Sequence, residues 1–487
     1  MTLWISIKKK LSFKLELALV LFISLGLLLL SAIVISRFST VWVDEVMFTD
    51  PGVNLYMGKG FNSTAWWSQS SDEFWSGNYP LYSFLLGQWL HVSGFSLVSV
   101  RAFNYILIGA SAIVLWFSVI KLKLIIYTWP RLIFVALVLS GYGIGFSYRT
   151  GRYDALTIFL CSLVLLAYSI PSQRIRLLVV VGITFFFPLA GLQLVLYSVI
   201  VCSLLFLVLG FPSLRISLSI ALGIFIGLFF LYSLYTLHGT LDVVLNMSKA
   251  LRNPNIDGRF PRDPSTYLLL IGTVGIALKQ VAMRRFKLQS PLAFALLLAL
   301  VVPTVFRVLG RFPTYYAWMV YIPLAIGLCS AIEDDTIKLY SQKINSLLLV
   351  GIITLSCLLG TPIQTLSGLY FWNERDYQRV EDLIVKNTEA EDWVYGDFAT
   401  YYALKPRVKF SAFGTYFVSM TSEEKDKTSI LIIKPSDLEK VAEEIGGQWI
   451  GPIDEIKTQK RFLIFRENFG GLLSNVYDLA VFKRVQT

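Results

Sequence analysis

Three short stretches carry the side chains best suited to chemistry. In SRFSTVWVDEVMFTDPGVNLYMGKGF, Asp44 and Glu45 stand side by side soon after a long apolar run. A carboxylate near a bilayer is costly unless it is paired or functional, and a positioned one can take a proton from an attacking group. A solvated loop acid or a helix N-cap explains the pair equally well, because a helical-looking stretch follows Asp44. In SYRTGRYDALTIFL, Arg149, Arg152 and Asp154 sit at the mouth of another apolar run. Guanidinium suits bidentate contact with phosphate; a local ion pair with Asp154 is the alternative. MSKALRNPNIDGRFPRDP repeats the cationic theme with Lys249, Arg252, Arg259 and Arg262. Asp44, Glu45 and Asp154 are oxygen donors that could hold a divalent cation, or the arginines could make one unnecessary.

These stretches share a site only if the apolar runs between them bring them to one side of a membrane. The chain has 487 residues, of which 55% are apolar and 15% charged, against roughly 25% charged in soluble domains. The apolar residues fall in blocks of about 17 to 25, enough to cross a hydrocarbon core of roughly 30 Å. The formal charge of +11 is scattered in short clusters between the blocks, which excludes a nucleic-acid-binding face. Cys161, Cys202, Cys329 and Cys357 all lie inside apolar blocks without paired spacing, as apolar fillers do. His91 and His238 are too few for a histidine-rich metal site.

Hydropathy places spans near 15–36, 102–120, 130–148, 155–170, 177–190, 191–209, 216–236, 266–282, 291–308, 314–331 and 345–362. The first follows Lys8, Lys9, Lys10 and Lys14 and exceeds a signal h-region, so it reads as a retained span. The stretch 177–209 is broken at Pro188 and Gly191 and could be two spans or one kinked span. Lys and Arg bias sets orientation. With the basic N-terminus inside, Lys121, Lys123, Arg131, Arg174, Arg176, Arg215, Lys279, Arg284, Arg285, Lys287, Lys338 and Lys343 all fall inside. Residues 37–101, 149–154, 237–265 and the C-terminal tail fall outside. That scheme requires residues 80–97 (PLYSFLLGQWLHVSGFSL) to lie on the outer surface as an interfacial helix; as a span they would invert every later loop.

The outer loop 37–101 is rich in Trp, Tyr and Phe, and a long ordered loop in a compact protein is usually functional. Its aromatics could stack on sugar rings or sit at the membrane interface. The tail is different material. RDYQRVEDLIVKN and SDLEKVAEEIGG read as helices, and DWVYGDF, SILIIKP and RFLIFR as strands. The chain is thus expected to be an α-helical polytopic membrane protein, residues 1–365, with a soluble extracytoplasmic α/β domain over 370–487.

The order of motifs supplies a resemblance. A first span, an outer loop opening with WxDE, a surface helix after a YPL-type turn, Arg101 at the second span and the Arg149–Asp154 element resemble the GT-C superfamily of polyprenyl-phosphate-sugar glycosyltransferases. They are most similar to glycosyltransferase family 39, which contains protein O-mannosyltransferases and lipid A aminoarabinose transferases. The resemblance covers roughly residues 10–330 in layout. It implies a sugar donor on a polyprenyl phosphate, an acceptor (lipid, glycan or protein) on the outer face, and Asp44 as the catalytic acid. Glu45 would orient Asp44 or the acceptor, and Arg149, Arg152, Arg252, Arg259 and Arg262 would hold the donor phosphate, with Asp154 and Tyr79 in support. Tyr79-Pro80 stands where the family has Pro-Pro or Lys-Pro, so a phosphate-binding lysine is missing at that turn. No nucleotide-binding motif is present, in agreement with a lipid-linked donor, and the expected location is a bacterial plasma membrane. A non-catalytic or polymerase-type protein of lipid-linked polysaccharide assembly is the alternative. A transporter should show charged residues at mid-span and paired repeats, and the sequence shows almost none of the first and no convincing repeat.

Overall fold

The computed structural model describes residues 11–77, 79–210, 213–250, 263–310, 312–332, 342–458 and 475–485. Every apolar stretch identified above contains a helix. In chain order these are α1 (Phe13–Ala32), α2 (Val43–Tyr56), α3 (Pro80–Ser93), α4 (Leu97–Lys121), α5 (Thr128–Ser140), α6 (Tyr142–Arg149), α7 (Asp154–Ala167), α8 (Gln173–Phe185), α9 (Phe187–Ala190) and α10 (Leu192–Leu209). There follow α11 (Leu214–Leu237), α12 (Leu241–Ala250), α13 (Pro264–Ala282), α14 (Pro291–Val308), α15 (Trp318–Ile332), α16 (Gln342–Leu358) and α17 (Thr361–Tyr370). Among the described residues, 7 segments are long and apolar enough to cross a membrane, or 9 if each bent pair is one span, while α7 and α15 are shorter apolar helices. The stretch 177–209 is two segments, Gln173–Ala190 and Leu192–Leu209.

Helix α3 has 14 residues, about 21 Å at 1.5 Å per residue, too short for a hydrocarbon core of about 30 Å. It lies instead against α2, burying Tyr82, Ser83, Leu86, Gly87 and Leu90. Gly52 permits that approach, since a Cβ there would sit 2.3 Å from the Ser83 carbonyl oxygen.

The first span ends earlier than hydropathy suggests because another helix captures its carbonyls. Arg101, near the start of α4, donates from Nη1 to the carbonyls of Ile35 (2.7 Å) and Phe38 (3.1 Å), and from Nη2 to that of Ser39 (3.1 Å). The same guanidinium forks onto Glu45 of α2, with Nε to Oε1 and Nη2 to Oε2 both at 2.7 Å. Arg101 and Glu45 are both fully buried. At the opposite end of α1, Glu16 accepts from Arg131 Nε and Nη2 at 2.6 Å, from Trp116 (2.9 Å) and from Thr128 (2.8 Å). Arg131 therefore neutralises a buried acid and is not a solvated loop cation.

Two spans are broken, α5–α6 by 56° and α16–α17 by 43°, and the breaks pack on each other. Backbone groups freed at membrane depth must find partners inside the protein. Thr361 Oγ1 donates to the Leu139 carbonyl (3.1 Å) and Gln364 Nε2 to that of Tyr142 (2.9 Å). The amides of Tyr142 and Gly143 donate to Ser265 Oγ (2.9 Å) and Asp263 Oδ2 (3.1 Å). A Cβ on Gly360 would come within 1.6 Å of the Ser140 carbonyl oxygen, so only glycine fits that contact.

The C-terminal region folds as a 5-stranded sheet in the order β2-β1-β3-β5-β4. Its strands are β1 (Trp393–Gly396), β2 (Phe410–Phe413), β3 (Ile430–Ile433), β4 (Trp449–Ile456) and β5 (Leu479–Arg484). β1 runs parallel to β2 and β3, and β5 antiparallel to β3 and β4. Helices α18 (Gln378–Asn387) and α19 (Tyr401–Leu404) pack with it, and the tail helix read from SDLEKVAEEIGG is Leu438–Ile445. DWVYGDF and SILIIKP are strands as expected; RFLIFR lies outside the described residues; β2, β4 and β5 were not anticipated. The sheet docks on the loop 37–101. The Phe413 amide donates to the Thr64 carbonyl (3.0 Å), Ser68 N to Ser419 Oγ (2.8 Å) and Val41 N to Tyr477 Oη (3.3 Å).

Two stability outcomes follow. Arg101→Met leaves Glu45 buried without its counter-charge, a change that costs about 3–5 kcal/mol; thermal unfolding in detergent should show a large loss that Arg101→Lys, lacking the fork, only partly avoids. Gly360→Ala should cost about 1–3 kcal/mol through overpacking of the two breaks, read by the same melt.

Candidate active site

Asp44 and Glu45 fall in the first turn of α2, where carboxylates meet the positive end of the helix dipole. Successive helical residues point about 100° apart, so the two acids face different partners. Glu45 faces Arg101. It also accepts from the Gly151 amide (3.2 Å) and lies 3.3 Å from the Tyr402 hydroxyl of α19. Three groups thus surround a carboxylate with no exposed surface, so Glu45 orients the helix and is closed to an acceptor.

Asp44 faces Arg152, whose Nη1 donates to its Oδ2. Arg152 Nε donates in turn to Asp154 Oδ2 at 2.8 Å. Burial would pull the Arg152 guanidinium down, but the charges of Asp154 and then Asp44 raise it above its ordinary value. Its plane lies 3.7 Å from the Tyr315 ring centroid, and the rings of Phe48, Tyr153 and Trp42 stand 5.3, 5.4 and 5.6 Å away. A guanidinium boxed by aromatic faces gains cation–π attraction as well as order. Of the three charged side chains only Asp44 is open, with 27% of its side chain exposed against 1% for Arg152 and 0% for Asp154. Asn104 of α4 fixes the turn beneath them by donating to the carbonyls of Thr150 and Arg152.

The structure therefore brings Asp44, Arg152 and Asp154 together and separates Arg149 from them. Arg149 is fully buried, donates to Ser31 Oγ (2.7 Å) and Thr365 Oγ1, and lies 5.1 Å from the Phe38 ring. Its contacts share no residue with those of Arg152, and its Nη1 has no hydrogen-bond partner among the described residues. Tyr79 caps α3 and packs edge-on to Tyr153 at 6.0 Å. Arg252, Arg259 and Arg262 lie outside the described residues. Asp263, directly after that loop, is buried and anchored. It caps α13, accepting from Ser265 Oγ (2.6 Å) and Thr266 N (2.9 Å), and receives the Gly143 amide. The Asp-Pro-Ser order at 263–265 is a helix-start signal that could have revealed this anchor. The aromatic box around Arg152 had a weaker signal, the Thr314-Tyr315-Tyr316 turn at a span end.

The arrangement does not fit a divalent cation. Asp44 and Asp154 meet only through Arg152, whose guanidinium takes the place between them, and among the described residues no three His, Cys, Asp or Glu side chains cluster as ligands.

An apolar cavity of about 640 Å³ lies among α4, α7, α10, α11, α14 and α15. Ile158, Cys161, Ser162 and Leu165 of α7 line it, with Leu115, Phe294 and Trp318 among the residues opposite. Positions 158, 161, 162 and 165 form one face of α7, and Asp154 starts that face one turn, about 6 Å, before Ile158.

No family model and no curated protein matches the sequence. The fold does match solved structures. ArnT from Cupriavidus metallidurans bound to undecaprenyl phosphate superposes with a TM-score of 0.58 at 13% identity, covering 95% of this chain and 97% of that one. The same protein in the apo state gives 0.56 at 12% identity over the same shares. At that identity the likeness speaks to fold, and it spans nearly the whole of both chains: this protein has the fold seen in ArnT.

Proposed function

We propose that the protein is a membrane glycosyltransferase that moves a sugar from a polyprenyl-phosphate donor to an acceptor at the extracytoplasmic face, inverting the anomeric carbon. The observation that carries this reading is the half-open carboxylate of Asp44, held by the buried Arg152–Asp154 pair at the head of the helix that lines the apolar cavity. The binding of undecaprenyl phosphate by ArnT agrees with a lipid-phosphate ligand here. The cavity suits part of a polyprenyl tail, since it offers an apolar surface on one face of α7, and a donor whose tail enters it along that face would carry its sugar toward Asp44.

In the step itself, the acceptor oxygen or nitrogen attacks the anomeric carbon from the face opposite the phosphate. Its bond to that carbon forms as the carbon–phosphate-oxygen bond breaks. The acceptor proton passes to Asp44 as general base, and polyprenyl phosphate leaves with the bonding electron pair. Arg152, buried between Asp44 and Asp154, holds Asp44 in place. With two carboxylates on one guanidinium, the described cluster is negative by one charge. A phosphate therefore needs further cations, and we assign that role to Arg252, Arg259 and Arg262, which precede Asp263 in the sequence. Arg149, enclosed by Ser31 and Thr365, supports the fold behind the site and does not touch the donor.

Asp44→Asn keeps the shape and removes the base. In proteoliposomes given a radiolabelled polyprenyl-phosphate sugar and the acceptor lipid or glycan, it should lower kcat by about 10²–10⁴-fold with expression and melting temperature unchanged. An active Asp44→Asn protein would exclude the assignment. Cys161→Trp, which fills the cavity, should raise the donor KM for long-chain donors and leave that for a short-chain analogue near wild type; equal effects on both would remove the cavity from the donor site.

A further inference from the structure

Helix α2 carries a third acid, Asp50, which the transfer step does not use. It is fully buried. Its Oδ2 accepts from Ser63 Oγ and Thr64 N, both at 2.8 Å. Its Oδ1 meets the Tyr401 hydroxyl at 2.9 Å and Lys405 Nζ at 2.6 Å. Lys405 also donates to Thr64 Oγ1 at 3.1 Å and is itself 4% exposed. Burial lowers the Lys405 ammonium below its ordinary range while Asp50 opposes the shift, the mark of an ion pair closed off from water. Tyr401, Tyr402 and Lys405 sit on and just after one short helix, α19, of the C-terminal domain, so that single element holds both buried acids of α2.

The helix has a reason to need holding. Pro51 lies inside α2, and a helix-interior proline deletes one ladder hydrogen bond and crowds the preceding turn. Asp50 is the residue before that weak point, and Glu45 lies on its N-terminal side. Contacts from α19 thus grip the helix at both places and leave Asp44 exposed between its partners.

We propose that α19 is a positioning latch: Lys405 on Asp50 and Tyr402 on Glu45 clamp α2 so that Asp44 keeps its register against Arg152, which makes the C-terminal domain part of the active site's frame. The proposal rests on the transferase reading, and its residues are positioning residues with no contact to substrate. A pair that merely adds stability would give the same contacts, and kinetics separate the two.

The experiment compares Lys405→Met, Lys405→Arg, Tyr402→Phe and the double variant Asp50→Asn/Lys405→Met in the full-length protein. Transfer kinetics, melting temperature and amide hydrogen exchange over residues 43–56 are read for each. Misplacing a catalytic group by about 1 Å costs about a hundredfold in rate, so Lys405→Met should lose about that much kcat, with donor KM changed by less than about twofold. Exchange in α2 should rise, and Lys405→Arg should regain most of the rate. The double variant removes the stranded charge and should recover melting temperature without recovering kcat; recovery of both together overturns the latch. Tyr402→Phe serves if Lys405→Met does not fold: a lower kcat at unchanged melting temperature supports the latch, and a wild-type kcat overturns it. If the wild-type protein transfers no sugar, the transferase reading fails, and exchange alone decides the latch: faster exchange in α2 of the variants supports it, unchanged exchange overturns it.

Discussion

Glu45 and Arg101 lie where neither charge can be left alone. Taking a carboxylate or a guanidinium out of water costs several kcal/mol per ion, and only a well-formed pair with its remaining donors and acceptors satisfied recovers it. The structure meets that demand completely. The fork takes both oxygens of Glu45, the carbonyls of Ile35, Phe38 and Ser39 take the other guanidinium protons, and Gly151 N fills in on the acid side. Each of these partners belongs to a different piece of the chain: the end of α1, the start of α4, the first turn of α2 and the turn before α7. One ion pair therefore fixes their relative positions. Asp44, one residue earlier on the helix and turned by about 100°, inherits its direction toward Arg152 from that fixed frame.

Much of this was legible in the sequence because a bilayer simplifies the reading. Block length found the helices, and the Lys and Arg distribution assigned the loops to faces, which was enough to gather Asp44, Arg152 and Asp154. The division of labour between adjacent acids was not legible. Asp44 and Glu45 differ by which side of a helix turn they occupy, and the partner that decides it, Arg101, is 56 residues away. Arg149 and Arg152 looked equivalent as loop cations, yet the last turn of α6 carries the first inward to Ser31 and Thr365. The contribution of the C-terminal domain was hidden more deeply. Tyr402 reaches Glu45 across 357 residues of chain and Tyr401 reaches Asp50 across 351, separations that leave no local pattern. Short strands such as β2 and β5 also escaped, since four to six residues carry too little periodicity to stand out from a buried helix segment.

Broken helices explain why the site can be polar and still sit at the membrane's edge. An intact α5–α6 span would keep its amides in its own ladder. The break at Gly141 instead offers the amides of Tyr142 and Gly143 to Ser265 and Asp263, which ties α6 to the start of α13. The second break returns the favour through Thr361 and Gln364. Tolerance of irregular backbone at that depth depends on such internal partners, and here they come from side chains on other spans. The end of the arginine-bearing loop is thereby pinned to the helix that leads into the Arg149–Asp154 turn.

Charge balance gives the last constraint. Asp44, Arg152 and Asp154 sum to one negative charge, and Glu45 with Arg101 sums to none. Arg149 adds one positive charge, and it has hydroxyl partners where a carboxylate would neutralise it. The described frame is thus close to neutral. Arg252, Arg259 and Arg262, which precede Asp263 in the sequence, each add one positive charge to that balance. A low-dielectric cleft amplifies such an excess and draws in anions. A neutral frame has no charge to spare for an anion, so attraction for one has to come from cations beyond it.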